Sequence, residues 1–65
     1  MEIFVNGEKR ETAATTLPDF VIELGLPPET LLIEHNGTAL HRSEWQDSVL
    51  NPDDRLEILR VSAGG

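Results

Sequence analysis

The sequence predicts an α+β fold in which one main helix packs on one face of a mixed sheet of four to five strands. Three observations carry that expectation. Two Asn-Gly pairs, Asn6-Gly7 and Asn36-Gly37, each separate short runs of strand character. A single apolar stripe at helical spacing lies between them, and the chain closes on an alternating run from Arg55 to Val61.

Met1, Ile3 and Val5 alternate with Glu2 and Phe4, the period of a half-buried strand. Asn6-Gly7 supplies the two positive φ angles of a type I′ turn, so Glu8 to Thr12 returns antiparallel beside the first strand. This second run is very polar, with Lys9 and Arg10 among glutamates, and suits a sheet edge, where charge discourages pairing with other chains. Thr15 and Thr16 then precede Leu17-Pro18-Asp19, which offers a threonine cap, a proline in the first turn and an acid near the positive helix end. Leu17, Phe20, Val21 and Leu24 follow at i, i+3, i+4 and i+7, one apolar face of a two-turn helix. Gly25 ends it in the left-handed conformation, Leu26 folds back as the accompanying contact, and Pro27-Pro28 blocks continuation.

Leu31-Leu32-Ile33-Glu34-His35 leads to the second Asn-Gly turn and on to Thr38-Ala39-Leu40, giving a second hairpin. Ser43-Glu44-Trp45-Gln46 predicts one helical turn capped by Ser43, with Trp45 set over one end of the core. Asn51-Pro52-Asp53-Asp54 predicts a solvated turn. The last strand points Leu56 and Ile58 to one face and Glu57, Leu59 and Val61 to the other.

Sixty-five residues make one domain, which buries roughly 60% of the unfolded chain's surface and leaves no room for an enclosed catalytic cavity. Chemistry is therefore expected at the surface. The chain has no cysteine, which excludes disulfides, thiolate metal sites and a thiol nucleophile, and fits a cytoplasmic protein. No apolar run approaches the roughly 20 residues of a membrane span, and Met1-Glu2-Ile3-Phe4 lacks the basic region of a signal peptide, so no membrane partner is expected. Twelve acidic against five basic residues give a net charge of −7, which repels nucleic acid and serves either plain solubility or encounter with a protein partner that has a basic docking groove. His35 and His41, with Glu34 and Glu44 nearby, match no ligand spacing, and Asp47, Asp53 and Asp54 lack the pattern of a calcium loop. No metal is assigned.

Residues 1–61 read as the globular domain and 62–65 as a flexible tail ending in Gly64-Gly65. Two glycines without Cβ atoms let an enzyme close a narrow channel around the chain and reach the terminal carboxylate. Ser62 to Gly65, fully extended, reach at most about 14 Å, enough to enter an active site while the globule stays outside. If Ile3, Val5, Leu56 and Ile58 face the helix, then Phe4, Leu59 and Val61 lie on the open face and are expected to form one apolar docking patch.

With these pieces in place, the chain resembles the small sulfur carrier proteins of the ubiquitin-like β-grasp superfamily, and most closely the ThiS family of thiamine biosynthesis. The resemblance rests on Met1-Glu2-Ile3-Phe4-Val5-Asn6-Gly7, the helix around Leu17 to Leu24, Arg42-Ser43-Glu44-Trp45, Asp54-Arg55-Leu56-Glu57-Ile58 and the final Ala63-Gly64-Gly65. It implies that Gly65 is the sulfur attachment point, with Gly64 and Ala63 giving access. A ubiquitin-activating-like adenylyltransferase would use ATP and magnesium to adenylate Gly65, and a sulfur donor protein would convert the adenylate to a thiocarboxylate. A thiazole synthase would then take up the sulfur. The chain itself would bind no cofactor and act as a cosubstrate, not an enzyme. A carrier serving molybdopterin or cysteine synthesis, a ubiquitin-like modifier joined through Gly65 to lysine, and a non-covalent interaction module remain the alternatives.

Overall fold

The computed structural model describes residues 1–61. Both Asn-Gly pairs adopt the predicted backbone: Asn6 and Gly7 have φ of 52° and 82°, and Asn36 and Gly37 have 50° and 85°. Positive φ at both central residues is the type I′ requirement, whose twist matches that of the flanking strands. The first turn joins β1 (Glu2–Val5) to β2 (Glu8–Glu11), and the second joins β3 (Leu31–His35) to β4 (Thr38–Leu40). The last strand, β5 (Arg55–Arg60), does not lie at an edge. It inserts between the hairpins, parallel to β1 and antiparallel to β3, giving five strands in the order β2-β1-β5-β3-β4. The polar β2 occupies one edge, with all four residues exposed.

Helix α1 (Leu17–Leu24) crosses one face of this sheet. Thr16 Oγ1 accepts from the Asp19 N–H at 3.3 Å, Pro18 sits in the first turn, and Gly25 closes the helix at φ 73°, its N–H donating to the Ile22 carbonyl. The predicted stripe is the buried one. Leu17, Phe20 and Val21 pack with Ile3, Leu31, Ile33 and Leu56 from the sheet and with Trp45 and Leu50 from the connection before β5, while Leu24 is half-buried beside them. Arg10 and Arg42 lay their guanidinium groups over the Phe20 and Trp45 rings, 5.5 and 5.7 Å from the ring centroids, and shield two margins of the core.

Three local features differ from the sequence reading. A 3₁₀ turn, Pro28–Thr30, links the helix to β3. The turn around Trp45 is a 3₁₀ segment, Arg42–Asp47, and it begins from His41 instead of Ser43 because Glu44 reaches back to accept the His41 N–H at 2.7 Å. Asp54, expected in a solvated turn, is only 8% exposed. Among the described residues no helix is long and apolar enough to cross a membrane.

Candidate functional site

A buried carboxylate needs donors, and Asp54 has three. Its Oδ2 accepts from the Asn51 N–H at 2.9 Å and from His35 Nε2 at 2.7 Å, and its Oδ1 accepts from Asn36 Nδ2 at 3.0 Å. An ionised carboxylate only accepts, so His35 carries its hydrogen on Nε2 here. Burial alone pushes the Asp54 carboxyl up and is the largest single influence, but the hydrogen bonds from Asn51, His35 and Asn36, with the charge on His35, outweigh it. The carboxyl therefore lies below its ordinary range. This cluster ties the β3–β4 turn to the start of β5.

The turn asparagines grip β5 directly. Asn36 donates its N–H to the Arg55 carbonyl and accepts the Arg55 N–H on Oδ1, both at 2.8 Å. Asn6 donates its N–H to the Leu56 carbonyl at 2.8 Å, and its carboxamide exchanges two hydrogen bonds with the Ile58 backbone, at 2.7 and 3.1 Å. The Asn6 side chain thus stands in for the next peptide of β1 and prolongs the parallel ladder past the end of that strand. Beyond β5, the Val61 N–H donates to the Thr30 carbonyl at 2.7 Å. β5 is therefore held on the β1 side as far as Ile58 and on the β3 side as far as Val61.

On the open face, strand register decides which side chains meet. Leu59 stands opposite Leu32 of β3, and both are largely exposed, at 61% and 57%. Glu57 stands opposite Glu34, which is itself opposite Ala39 of β4. These side chains and Asn6 border a shallow groove of ≈ 430 Å³. Phe4 is level instead with Arg55 of β5 and Lys9 of β2, and it is half-buried. Leu59 lies four positions beyond that level on β5, about 13 Å along the strand, with Glu57 between them. The single patch expected of Phe4, Leu59 and Val61 is thus divided: Leu59 pairs with Leu32, Phe4 lies apart between Lys9 and Arg55 on the flanking strands, and Val61, 36% exposed, follows the strand end.

Leu32 was missed as an open-face residue, although its signal was present: in Leu31-Leu32-Ile33 the middle side chain must point away from its neighbours. The remaining site residues read from the sequence, Ala63, Gly64 and Gly65, lie outside the described residues.

A five-stranded mixed sheet with parallel first and last strands at its middle and one helix across a single face defines a ubiquitin-like β-grasp protein. Two solved structures share this fold. The crystal structure of a thiamine biosynthesis protein (ThiS) from Geobacter metallireducens superposes with a TM-score of 0.84 at 23% identity over the whole of both chains. The solution structure of a thiamine biosynthesis protein from the same organism gives 0.81 at 23% identity, over all of this chain and 88% of the other. The ThiS family model matches residues 3–65, and the chain belongs to that family. It is also similar to the thiazole synthases of Magnetococcus marinus, at 35% identity, and Paramagnetospirillum magneticum, at 30%, over 66 aligned residues in each case. All of this chain is covered but only 20% of either relative, so the chain spans about one fifth of their length.

Proposed function

We propose that the chain is a sulfur carrier that serves thiazole formation in thiamine biosynthesis. The observation that carries this reading is the family match, which runs through Ala63-Gly64-Gly65 to the last residue. The similarity to one fifth of two thiazole synthases supports a thiazole synthase as the acceptor.

A carboxylate is a poor electrophile, so Gly65 has to be activated before sulfur can enter. In the proposed sequence a ubiquitin-activating-like adenylyltransferase, using ATP and magnesium, joins the Gly65 carboxylate to the α-phosphate and releases pyrophosphate. A donor protein then delivers a sulfide equivalent to the acyl carbon, AMP leaves, and a thiocarboxylate remains. The chain contributes a presented carboxylate and a recognisable body, and the catalytic groups belong to its partners. Phe4, Leu59 and Val61 retain the role of partner contacts in this proposal, with Leu32 now added beside Leu59. A cytoplasmic setting accords with the absence of cysteine.

Intact-mass spectrometry tests the reading directly. Incubation with the cognate adenylyltransferase, ATP, magnesium and a sulfur donor is expected to give the mass gain of one oxygen replaced by sulfur, and deletion of Gly64 and Gly65 is expected to abolish it. No gain under conditions where the enzyme is shown to be active would refute the carrier. Lysine conjugates that depend on Gly65 would instead indicate a protein modifier. Transfer of the sulfur to a reconstituted thiazole synthase distinguishes thiamine synthesis from molybdopterin or cysteine synthesis.

A further inference from the structure

Both hairpin turns expose an asparagine followed by a glycine, and that dipeptide carries a reaction of its own. The glycine nitrogen attacks the asparagine carboxamide carbon, a C–N bond closes a succinimide ring, and the side-chain nitrogen leaves as ammonia with the proton that the glycine nitrogen gives up. Water then opens either ring carbonyl, leaving aspartate or isoaspartate. Glycine favours the attack because no side chain crowds its nitrogen, and nothing stands within 4 Å of where a Cβ would sit at Gly7 or Gly37. What restrains the reaction in this fold is the grip on β5. The attack turns the carboxamide away from its partners, and each carboxamide makes two hydrogen bonds: Asn6 with the Ile58 N–H and carbonyl, Asn36 with the Arg55 N–H and Asp54 Oδ1.

The two sites differ in what deamidation leaves behind. At Asn6 the new carboxylate oxygen faces the Ile58 carbonyl at an exposed position, where water can come between them. At Asn36 the oxygen takes the place of Nδ2, which donates to the buried Asp54 carboxylate at 3.0 Å. Asp54 cannot turn away without giving up its bonds from Asn51 and His35. Two carboxylates that share a site with no hydrogen between them repel. The isoaspartate product, for its part, adds a backbone methylene to a turn set by two positive φ angles. We infer that Asn36-Gly37 is a deamidation site gated by the fold: it reacts when the β3–β4 turn lets go of β5, and Asp54 bars the product from closing again. Each opening of that end of the sheet therefore risks an irreversible mark. The chemistry needs only water and holds whether or not the chain carries sulfur.

Peptide mapping by mass spectrometry after incubation in mildly alkaline buffer, with and without urea, tests the gate. In urea both asparagines are expected to convert at similar rates, and in the folded protein each is expected to convert at least about tenfold more slowly, because two hydrogen bonds must break first. Equal rates at Asn36 with and without urea, or no conversion in urea, would overturn the inference. Denaturant titration tests the bar. Asn36→Asp is expected to raise the unfolding constant about tenfold more than Asn6→Asp does. Adding Asp54→Asn to Asn36→Asp is expected to recover most of that loss, since the new amide donates to the new carboxylate while its carbonyl keeps the bonds from Asn51 and His35. An Asn36→Asp variant as stable as Asn6→Asp, or a double variant no more stable than Asn36→Asp, would refute the bar. If Asn36→Asp alone does not fold, a folded double variant supports the inference and an unfolded one overturns it.

Discussion

At the residue scale, Asn6 and Asn36 each do two things at once. Their backbones take the left-handed φ that starts a type I′ turn, and their side chains hydrogen-bond the backbone of β5. Glycine satisfies the first requirement more readily than asparagine and cannot meet the second. Asn6→Gly and Asn36→Gly are therefore expected to destabilise the protein by about 0.5–1.5 kcal/mol each in urea denaturation, through the net loss of solvent-exposed hydrogen bonds to β5. Two neutral outcomes would mean that the carboxamides contribute nothing beyond the turn. The turn conformation was legible in the dipeptides because it depends on two adjacent residues. The grip was not, since the partners lie 52 residues away in sequence for Asn6 and 19 for Asn36. The same distance hid the pairing of His35 with Asp54, which places the acid in the interior instead of in a solvated turn.

At the scale of elements, the helix was the most legible part, because its start, stripe and stop all lie within one local window. Gly25 illustrates how narrow the constraint is. A Cβ placed there meets no atom within 4 Å, so space does not select glycine; the φ of 73° does. Gly25→Ala is accordingly expected to cost about 1–2 kcal/mol without disturbing the packing of Phe20 or Val21. Thermal unfolding combined with the near-ultraviolet signal of Trp45 checks both halves: an unchanged midpoint would remove the strain argument, and an altered native spectrum would mean the core had shifted. The strands were legible in period but not in register. Alternation correctly divided the faces of β5, yet only pairing with β3 shows that Leu59 meets Leu32 and not Phe4. The cap of the Trp45 turn was misassigned for a related reason: Ser43 is a good capping residue, but Glu44 reaching back to His41 fixed the start two residues earlier.

At the scale of the whole molecule, the fold was legible because two hairpins, one helix stripe and one last strand leave few ways to bury a single apolar face. The fold also couples stability to pH through Asp54, whose three hydrogen bonds join separate parts of the chain. Its carboxyl lies below the ordinary range in the folded state, so between that lowered value and the ordinary one the unfolded chain binds the proton more readily. Stability from this group is present above the ordinary carboxylate value and is lost as pH falls through the lowered one. Asp54→Asn is thus expected to be less stable than wild type near pH 7, with the difference shrinking in denaturant titrations as pH falls through the lowered carboxyl value. A gap that stays constant across that range would rule out the linkage. The position of β5 has a further, mechanical consequence. A pull applied beyond Val61 runs along a strand bonded on one side to β1 and on the other to β3, so it loads both ladders in shear instead of peeling them open one bond at a time. A load that enters the globule at Val61 is thus shared between two ladders, and the body resists unravelling from that side.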